Sequence, residues 1–252
     1  MRKSLLILLL LTTSVATFAA NITKEYPIES FTKIGLYIST DVEISSTKGA
    51  ANVKAVGPQE LIDRLDIKVV NNQLIIKSKG ELRTRRDYYV KIYVSMPMVK
   101  ELSIYGSGDI KVANNVKWTS DAALSINGSG DIEIAAVQNK MLSITTKGSG
   151  DIKINTIINQ HTDIDIKGSG DIAVKSIDTN QLNASIKGSG DIELKSGKTQ
   201  RAIYNTYGSG DIKAKLVMAD YIEATTRGSG DISCYKAAKI IKHRSGSGNI
   251  TH

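Results

Sequence analysis

One aspartate occupies the same place in a five-residue string, GSGDI, that recurs along the second half of the chain. Seven copies supply the carboxylates of Asp109, Asp131, Asp151, Asp171, Asp191, Asp211 and Asp231, and a near-copy, GSGNI, has Asn249 in that place. Carboxylates repeated in this way suit two roles. They could bind calcium, which takes several oxygen ligands. They could also accept hydrogen bonds from the backbone N–H groups of a tight turn.

The calcium alternative would use a ladder of carboxylates formed by Asp131, Asp151, Asp171, Asp191, Asp211 and Asp231. Calcium-binding β-helices repeat their Gly- and Asp-rich motif every nine residues, about twice as often as here. Lys147, Lys167 and Lys187 also stand directly before three of the triplets. The pattern therefore favours a structural aspartate that bonds to its own turn and is offset by a lysine column. It predicts no metal and no cofactor.

The glycines around each serine are predicted to form tight corners. Glycine adopts positive φ without steric cost and lets neighbouring segments approach closely. The corner residues of the central copies are Gly148, Gly150, Gly168, Gly170, Gly188, Gly190, Gly208 and Gly210.

Residues of other reactive types are few and scattered, so the sequence predicts a protein that is not an enzyme. His161, His243 and His252 have no partner at metal-ligand spacing, and no serine has a repeated histidine partner. Cys234 is the single cysteine and occupies a place where other copies have Val, Ile or Leu, which indicates a buried apolar residue. Trp118 could stack on a sugar ring, but partial burial against the body of the protein is favoured.

The spacing of the triplets indicates the fold that must position these residues. Successive triplets begin 22, 20, 20, 20, 20, 20 and 18 residues apart, which is typical of a solenoid. Apolar residues alternate on both sides of each triplet, as with Ile152 and Ile154 after one and Ile164 and Ile166 before the next. This alternation predicts strand, corner and strand. The fold is therefore expected to be an all-β parallel β-helix with about 20 residues per coil.

Residues 21–105 are predicted to be a β-rich lead with one short helix at Pro58–Leu65 and a turn at Asn71 and Asn72. The expected strands are Ile34–Ile38, Val42–Ser45, Asn52–Val56, Asp66–Val70, Gln73–Ser78, Tyr89–Ser95 and Glu101–Ile104. These irregular coils are expected to close one end of the solenoid, as terminal repeats must. The repeats at 106–252 should continue directly from them as one body.

Residues 1–20 have the features of a secretory signal peptide: Arg2 and Lys3, an apolar run at Leu5–Leu11, and small residues near Ala19. The apolar run is too short to span a membrane. Arg2 and Lys3 account for two of the +8 net charge, so residues 21–252 carry +6, spread along the chain. Only Arg83, Arg85 and Arg86 form a dense basic cluster, beside Glu81 and Asp87. A solvated surface loop is expected there, and contact with an acidic surface polymer is the alternative. Export to a periplasm, cell surface or medium follows, with no nucleic-acid partner.

Two stretches resemble a known family of bacterial envelope proteins, the putative auto-transporter adhesins with a head GIN domain. One is the GSGDI series, and the other is the lead from "FTKIGLYISTDVEIS" to "YVKIYVSMPMVKELSIYGSGDI". The resemblance covers roughly Ile28 to Ile250. It implies a right-handed parallel β-helix and a role in adhesion, and it implies no catalytic residues.

The functional hypothesis is an exported module that binds an envelope or host-surface glycan or protein. Its contact surface would be the variable second corners, at Asn155–Thr162 and its equivalents, or the regular edge with Tyr105, Tyr207 and the lysines. The alternatives are a polysaccharide lyase or hydrolase, which would need a groove built by long loops, and a purely structural envelope scaffold. Self-association into a homo-oligomer is left open.

Overall fold

The computed structural model describes residues 21–83 and 88–252. Before residue 99, the described part of the lead contains seven strands and one short helix. They are β1 (Asn21–Tyr26), β2 (Lys33–Leu36), β3 (Asp41–Ser46), β4 (Asn52–Pro58), α1 (Gln59–Asp63), β5 (Leu65–Val70), β6 (Gln73–Ser78) and β7 (Lys91–Met96). The expected strands and helix are present with ends shifted by one or two residues, whereas β1 was not predicted.

The remaining strands form the repeats. They are β8 (Val99–Ile104), β9 (Ile110–Val112), β10 (Trp118–Ile126), β11 (Ile132–Gln138), β12 (Met141–Thr146), β13 (Ile152–Ile158), β14 (His161–Ile166), β15 (Ile172–Ile186), β16 (Ile192–Leu194), β17 (Gly197–Thr206), β18 (Ile212–Ala214), β19 (Val217–Gly228), β20 (Ile232–Cys234), β21 (Lys239–Gly246) and β22 (Ile250–Thr251).

These strands pair in parallel with their equivalents one coil away. The isoleucine after each triplet lies beside the next one, so that Ile132 pairs with Ile152, Ile152 with Ile172 and Ile172 with Ile192. The column continues through Ile212 and Ile232 to Ile250. The expected parallel β-solenoid with about 20 residues per coil is therefore confirmed.

The interior consists of stacked apolar columns, as the alternation predicted. Ile152, Ile172 and Ile192 are fully buried, and so are Ile166 and Ile186 on the other side of the corner. Tyr204 is also fully buried, between the small side chains of Ala184 and Ala224 in neighbouring coils. Its hydroxyl has no hydrogen-bond partner among the described residues, and burial raises its pKa well above the ordinary value.

The first coils are not stacked in the order of the sequence. β2 lies between β6 and β8, and β3 lies between β7 and β9, all in parallel. The chain thus forms one coil at 33–46, adds the coil at 73–96 on its outer side, and then crosses to 99–112 on its inner side. The sequence predicted a closing lead but not this crossing.

The outer end is closed by antiparallel strands and the helix. β4 pairs with β7, β1 pairs with β4, and β5 pairs with β6, each in the antiparallel sense. The helix buries Leu61 and Ile62. Asn71 and Asn72 connect β5 to β6 with φ values of 50° and 63°, which confirms the predicted turn and suits a two-residue hairpin loop.

The last coil differs from the others at its inward-facing positions. Lys242 pairs with Ala224 and Arg244 with Thr226, so two cations continue columns that are otherwise apolar or hold threonine. Lys242 Nζ donates to the Ile250 carbonyl at 3.1 Å, and Arg244 donates to the Asn249 side chain at 3.2 Å. Their side chains thus bond to the final segment of the chain instead of extending the core.

Two expectations lie outside the described residues: the signal peptide at 1–20, and Arg85, Arg86 and Asp87 of the basic cluster. Arg83, the described member of that cluster, pairs with Glu81 at 3.3 Å. Within 21–83 and 88–252, no helix is long and apolar enough to cross a membrane.

Candidate functional site

Each GSG corner stacks closely on the corner of the preceding coil. The N–H of the triplet serine donates to the first glycine carbonyl one coil earlier, from Ser149 to Gly128 at 3.1 Å and from Ser169 to Gly148 at 3.0 Å. A Cβ built on either triplet glycine would approach a carbonyl oxygen of the preceding coil to less than 3.0 Å. This holds for Gly148, Gly150, Gly168, Gly170, Gly188, Gly190, Gly208 and Gly210.

Close approach, and not positive φ, is therefore what the structure shows at these glycines. Among the triplets, positive φ is confined to Gly228 at 159°, which is close to extended, and Gly246 at 114°. Of the two reasons for glycine that the sequence suggested, positive φ and close approach of neighbouring segments, only the second applies to the central copies. The glycine requirement there is steric.

A corner without glycine lies in the lead, and sequence reasoning missed it. Ile38 and Thr40 are the residues that a Cβ on Gly106 or Gly108 would strike, and Tyr37 stacks on Tyr105 with ring centroids 4.5 Å apart. On the outer side of this corner lie β6 and β7, and the sequence between these two strands contains no triplet. Since the overlap always concerns the preceding coil, Ile38 and Thr40 can keep their side chains.

The aspartates form a ladder of hydrogen bonds between coils. One carboxylate oxygen of each aspartate accepts the N–H of the aspartate one coil further on, as from Asp171 to Asp151 at 2.9 Å and from Asp191 to Asp171 at 2.7 Å. The N–H groups of Asp131, Asp151, Asp211 and Asp231 are bound in the same way at 2.8 Å. The expected bond to the aspartate's own turn is thus replaced by a bond to the next coil.

The ladder has one member at each end beyond the seven copies. Asp41, at the glycine-free corner, accepts the N–H of Asp109 at 3.2 Å. At the other end the N–H of Asn249 is bound by Asp231 at 2.7 Å. The string "STDVEI" at Ser39–Ile44 matches "SGDIKV" at Ser107–Val112, so Asp41 could have been found by comparing the lead with the first repeat.

The charge of the ladder is offset by lysines that follow the triplets. Lys213 lies 2.6 Å from Asp191 and 3.9 Å from Asp211, and Lys153 lies 3.5 Å from Asp151. The lysines before the triplets do not pair with the ladder, and Lys167 instead pairs with Asp165 at 2.8 Å. The expected lysine partner column was therefore wrong, because the two columns lie on different sides of the corner.

Two carboxyl groups of the ladder have pKa values displaced in opposite directions. Partial burial raises the pKa of Asp191, but the Asp211 N–H and the Lys213 ammonium outweigh burial, and the net pKa lies below its usual value. Burial is also the largest effect at Asp109, and with Asp41 and Asp131 nearby it raises that pKa above its usual value.

The calcium alternative concerns the same carboxylates that form the ladder. Within the described chain, no group of three or more His, Cys, Asp or Glu side chains is arranged to hold a metal ion. One oxygen of each ladder carboxylate already accepts an N–H, whereas calcium takes six to eight oxygens. The absence of calcium at Asp131, Asp151, Asp171, Asp191, Asp211 and Asp231 stays a prediction, which the melting temperature in calcium tests.

On the other side of the triplets lies a column of cationic and aromatic residues that we call the lysine edge. It consists of Tyr37, Tyr105, Asn127, Lys147, Lys167, Lys187, Tyr207 and Arg227. Its lysines are exposed, and Tyr105 and Tyr207 are 44% and 42% exposed. The Arg227 guanidinium lies 5.8 Å from the Tyr207 ring centroid. The edge borders a sheet face whose adjacent column is half-buried Ser125, Thr145, Asp165, Ser185 and Asn205.

The second corners are tighter than expected. Residues 155–158 belong to β13, and in the next coil β15 runs through the corner without interruption. Trp118 is only 7% exposed and its indole N–H donates to the Ala136 carbonyl at 3.0 Å, so it packs into the solenoid as favoured. Lys198 pairs with Asp178 at 3.2 Å. Fewer distinct groups are therefore free at these corners than the sequence indicated.

The described residues contain no evident catalytic arrangement. Cys234 is buried as predicted, and burial raises the pKa of its thiol. No histidine in 21–83 or 88–252 bonds to a serine, threonine or cysteine, and His252 lies 2.6 Å from the Lys242 ammonium. What the geometry does present is a regular, exposed surface on a stacked scaffold.

Fold and surface together define a parallel β-solenoid with stacked glycine corners. The chain belongs to the family of the putative auto-transporter adhesin, head GIN domain, whose pattern matches residues 30–161 and 140–252. Among curated proteins, none is significantly similar.

Solved structures share the fold at low sequence identity. A putative adhesin from Parabacteroides merdae is 18% identical with a TM-score of 0.84, covering 93% of this chain and 96% of that one. A putative lipid binding protein from Parabacteroides distasonis is 24% identical with a TM-score of 0.78, covering 93% and 98%. A putative adhesin from Bacteroides fragilis is 21% identical with a TM-score of 0.72, covering 92% and 96%.

Proposed function

We propose that this protein is an exported, non-catalytic module that binds a carbohydrate or protein of the envelope or of a host surface. The observation that carries the proposal is the lysine edge beside a polar sheet face, both held by a continuous backbone ladder. A rigid backbone beneath the binding groups avoids the entropy cost of ordering loops when a ligand is bound. The signal-peptide features of residues 1–20 support export, and the adhesin family supports binding.

The constant length of the coils and the arrangement of their carboxylates argue against a polysaccharide lyase or hydrolase. Such an enzyme needs carboxylates or bases that converge on a groove. Here the coils keep a nearly constant length, and the repeated carboxylates accept N–H groups along one straight column. A surface of this kind offers many equivalent contacts and no single reacting centre.

Binding can be tested by screening the protein against immobilised neutral glycans, acidic glycans and envelope proteins. We expect saturable binding to a subset, with the polymer recovered at its original length. Shortening of a polysaccharide, lost when a single carboxylate is changed, would show an enzyme instead. Absence of binding in every class would favour the scaffold alternative.

The same screen separates the second corners from the lysine edge when only exposed residues are changed. Ile157, Thr162, Ile177 and Thr179 are buried, so scrambling whole corner segments would damage the core. Replacing exposed Gln160, Asp178 and Asn180 by alanine leaves those residues in place. We expect this corner variant to bind like the parent, since the edge remains intact.

A further inference from the structure

The lysine edge differs in its charge distribution from the charged column on the other side of the triplets. The column two residues after the ladder begins Glu43, Lys111, Glu133 and Lys153, in spatial order, so that opposite charges alternate, and Lys91 reaches Glu43 from the place opposite Asp41. Lys91 lies 2.5 Å from Glu43, and Lys111 lies 3.1 Å from Glu133. Opposite charges on adjacent strands stabilise a sheet, whereas like charges directly opposite destabilise it.

The lysine edge places three like charges on three successive coils. Lys147, Lys167 and Lys187 are adjacent in the register, and no acid interrupts them. Among the described residues the only ion pair of these three is Lys167 with Asp165 at 2.8 Å. This arrangement weakens the sheet locally, and an anionic ligand would remove the repulsion.

We propose that the lysine edge binds an extended acidic polysaccharide along the solenoid axis, with successive carboxylates beside Lys147, Lys167 and Lys187. The proposal rests on the proposed binding function and names its ligand class. It is an interaction surface for a linear polymer with one acidic group per sugar unit.

The cations repeat along the solenoid axis at a short and constant interval. The N–H groups of Lys147, Lys167 and Lys187 donate to carbonyls of the preceding coil at 2.8, 2.8 and 2.7 Å. The side chains therefore start at the coil spacing, about 4.8 Å. A flexible ammonium can adjust to small mismatches with the ligand, because lysine is a point charge on a long stem.

The residues on both sides of the lysine edge have short side chains, which leaves room for an extended polymer to lie along the edge. On one side are the Gly-Ser-Gly corners, and on the other the short side chains of Thr145, Asp165, Ser185 and Asn205, of which the one acid, Asp165, is paired with Lys167. Their hydroxyl and amide groups can exchange hydrogen bonds with sugar hydroxyls. Tyr207 and Arg227 continue the edge over the next two coils and add a ring and a fourth cation.

A second row of lysines fits the same ligand less well. Lys175, Lys195 and Lys215 also occupy successive coils, and as at the edge one of the three has an ion pair, Lys195 with Glu193 at 3.5 Å. Leu216, 70% exposed, projects beside this row. Single-stranded nucleic acid fits neither row as well, since its binding sites place aromatic rings for stacking along the groove.

The second row provides a matched control for the test. One variant carries Lys147→Gln, Lys167→Gln and Lys187→Gln, and the control carries Lys175→Gln, Lys195→Gln and Lys215→Gln. Both lose three positive charges from three successive coils. Binding of immobilised polygalacturonate would be measured for the parent and both variants at about 0.02 and about 0.2 M salt. Melting temperatures would show that both variants are folded.

We expect the edge variant to bind polygalacturonate roughly tenfold more weakly or worse at low salt, and the control to stay within about threefold of the parent. Affinity of the parent should fall with salt, and neutral dextran should not bind. Equal losses in both variants, or a loss in the control alone, would overturn the assignment to this edge. Polyglutamate or single-stranded DNA binding as tightly, and lost in the same variant, would overturn the polysaccharide class.

Failure of this inference is distinguishable from failure of the proposed function. A parent that does not bind polygalacturonate at low salt excludes the acidic ligand. If the same protein binds a neutral glycan or an envelope protein in the broader screen, the binding function stands with another ligand.

Discussion

The two glycines of each corner are needed because of the coil that precedes them. A side chain at Gly168 or Gly170 would overlap a backbone carbonyl of the preceding corner, which is itself held in the hydrogen-bonded stack. Ile38 and Thr40 occupy the same places at the first corner, where no triplet precedes. The direction of this constraint explains why one corner of the stack is free of glycine while the last copy still has Gly246 and Gly248.

A single added methyl group tests this explanation. We expect Gly170→Ala to lower the free energy of unfolding by about 1–3 kcal/mol or more, the usual cost of overpacking, because the Gly150 carbonyl cannot move away. Asp171→Asn and Ser169→Ala at the same corner should each stay within about 0.5 kcal/mol of the parent. Denaturant unfolding measures all three. If Gly170→Ala were tolerated and Asp171→Asn were unstable, the aspartate and not the glycine would be the residue that the corner requires.

The Asp191–Lys213 pair predicts how stability depends on pH. The lowered pKa of Asp191 means that its stabilising contribution is present above the unfolded value near 3.8 and is lost as pH falls through the folded value. The raised pKa of Lys213, caused first by its bond to Asp191, gives a contribution that is lost as pH rises through the folded value above 10.5.

We therefore expect Lys213→Gln to lower the free energy of unfolding at pH 7 by less than about 1 kcal/mol, since the pair is partly exposed. The melting temperature at pH 7 should fall slightly. The gap from the parent should narrow in strong acid and in strong alkali. Lys48→Gln, which removes an exposed lysine without an ion pair in the described chain, is the control and should change neither limb. A constant gap between parent and Lys213→Gln from acid to alkali would contradict the pairing.

Among the elements, the regular coils could be predicted from sequence and the ends only in part. Period-two alternation around Ile152 and Ile172 determines which side faces the core, so the columns and the parallel register followed from spacing alone. The partners of the ladder carboxylates could not be predicted from sequence. An aspartate at a corner can accept an N–H of its own turn or an N–H of the neighbouring coil, and the sequence does not distinguish the two. The crossing of the lead was also hidden, since β6 and β8 have similar apolar patterns and both pair with β2.

The last coil carries cations at positions where the preceding coils have core residues, and an alignment of the repeats shows this difference. Lys242 and Arg244 take inward positions in β21, which together with β22 pairs on one side only in the described chain. Inward-pointing charges on an edge strand prevent another strand from adding to it. We infer that they keep the ends of two molecules from stacking into a longer solenoid.

Replacing both cations by isoleucine tests this role. We expect Lys242→Ile with Arg244→Ile to produce concentration-dependent oligomers, because the open end of the core becomes apolar beside unpaired strand edges. The matched control, His243→Ile with Ser245→Ile, adds the same apolar groups at the alternate positions of β21, which do not continue the core columns. Light scattering after size-exclusion chromatography measures both. Equal association in the two variants would indicate a general effect of exposed isoleucine.

At the scale of the whole molecule, the two columns beside the corners have different roles. The aspartate column connects coil to coil through backbone N–H groups, and following lysines offset part of its charge. The lysine edge makes no such connection through its side chains and leaves its ammonium groups at the surface. The same repeated segment thus supplies a column that connects the coils and a column that is available for contact. The triplet glycines lie between the two columns.

The response of the whole solenoid to calcium tests this division. If the aspartates only connect coils, the melting temperature should be the same within error in chelator and in millimolar calcium, because one oxygen of each carboxylate is already bound to an N–H. Binding to the folded state alone would otherwise add about 2.7 kcal/mol at a hundredfold excess over Kd. The triple variant Asp151→Asn, Asp171→Asn and Asp191→Asn keeps an acceptor at each place and should also melt near the parent temperature. A saturable rise with calcium that this variant abolishes would show instead that the ladder is a calcium site, and that metal ions stabilise the stack of coils.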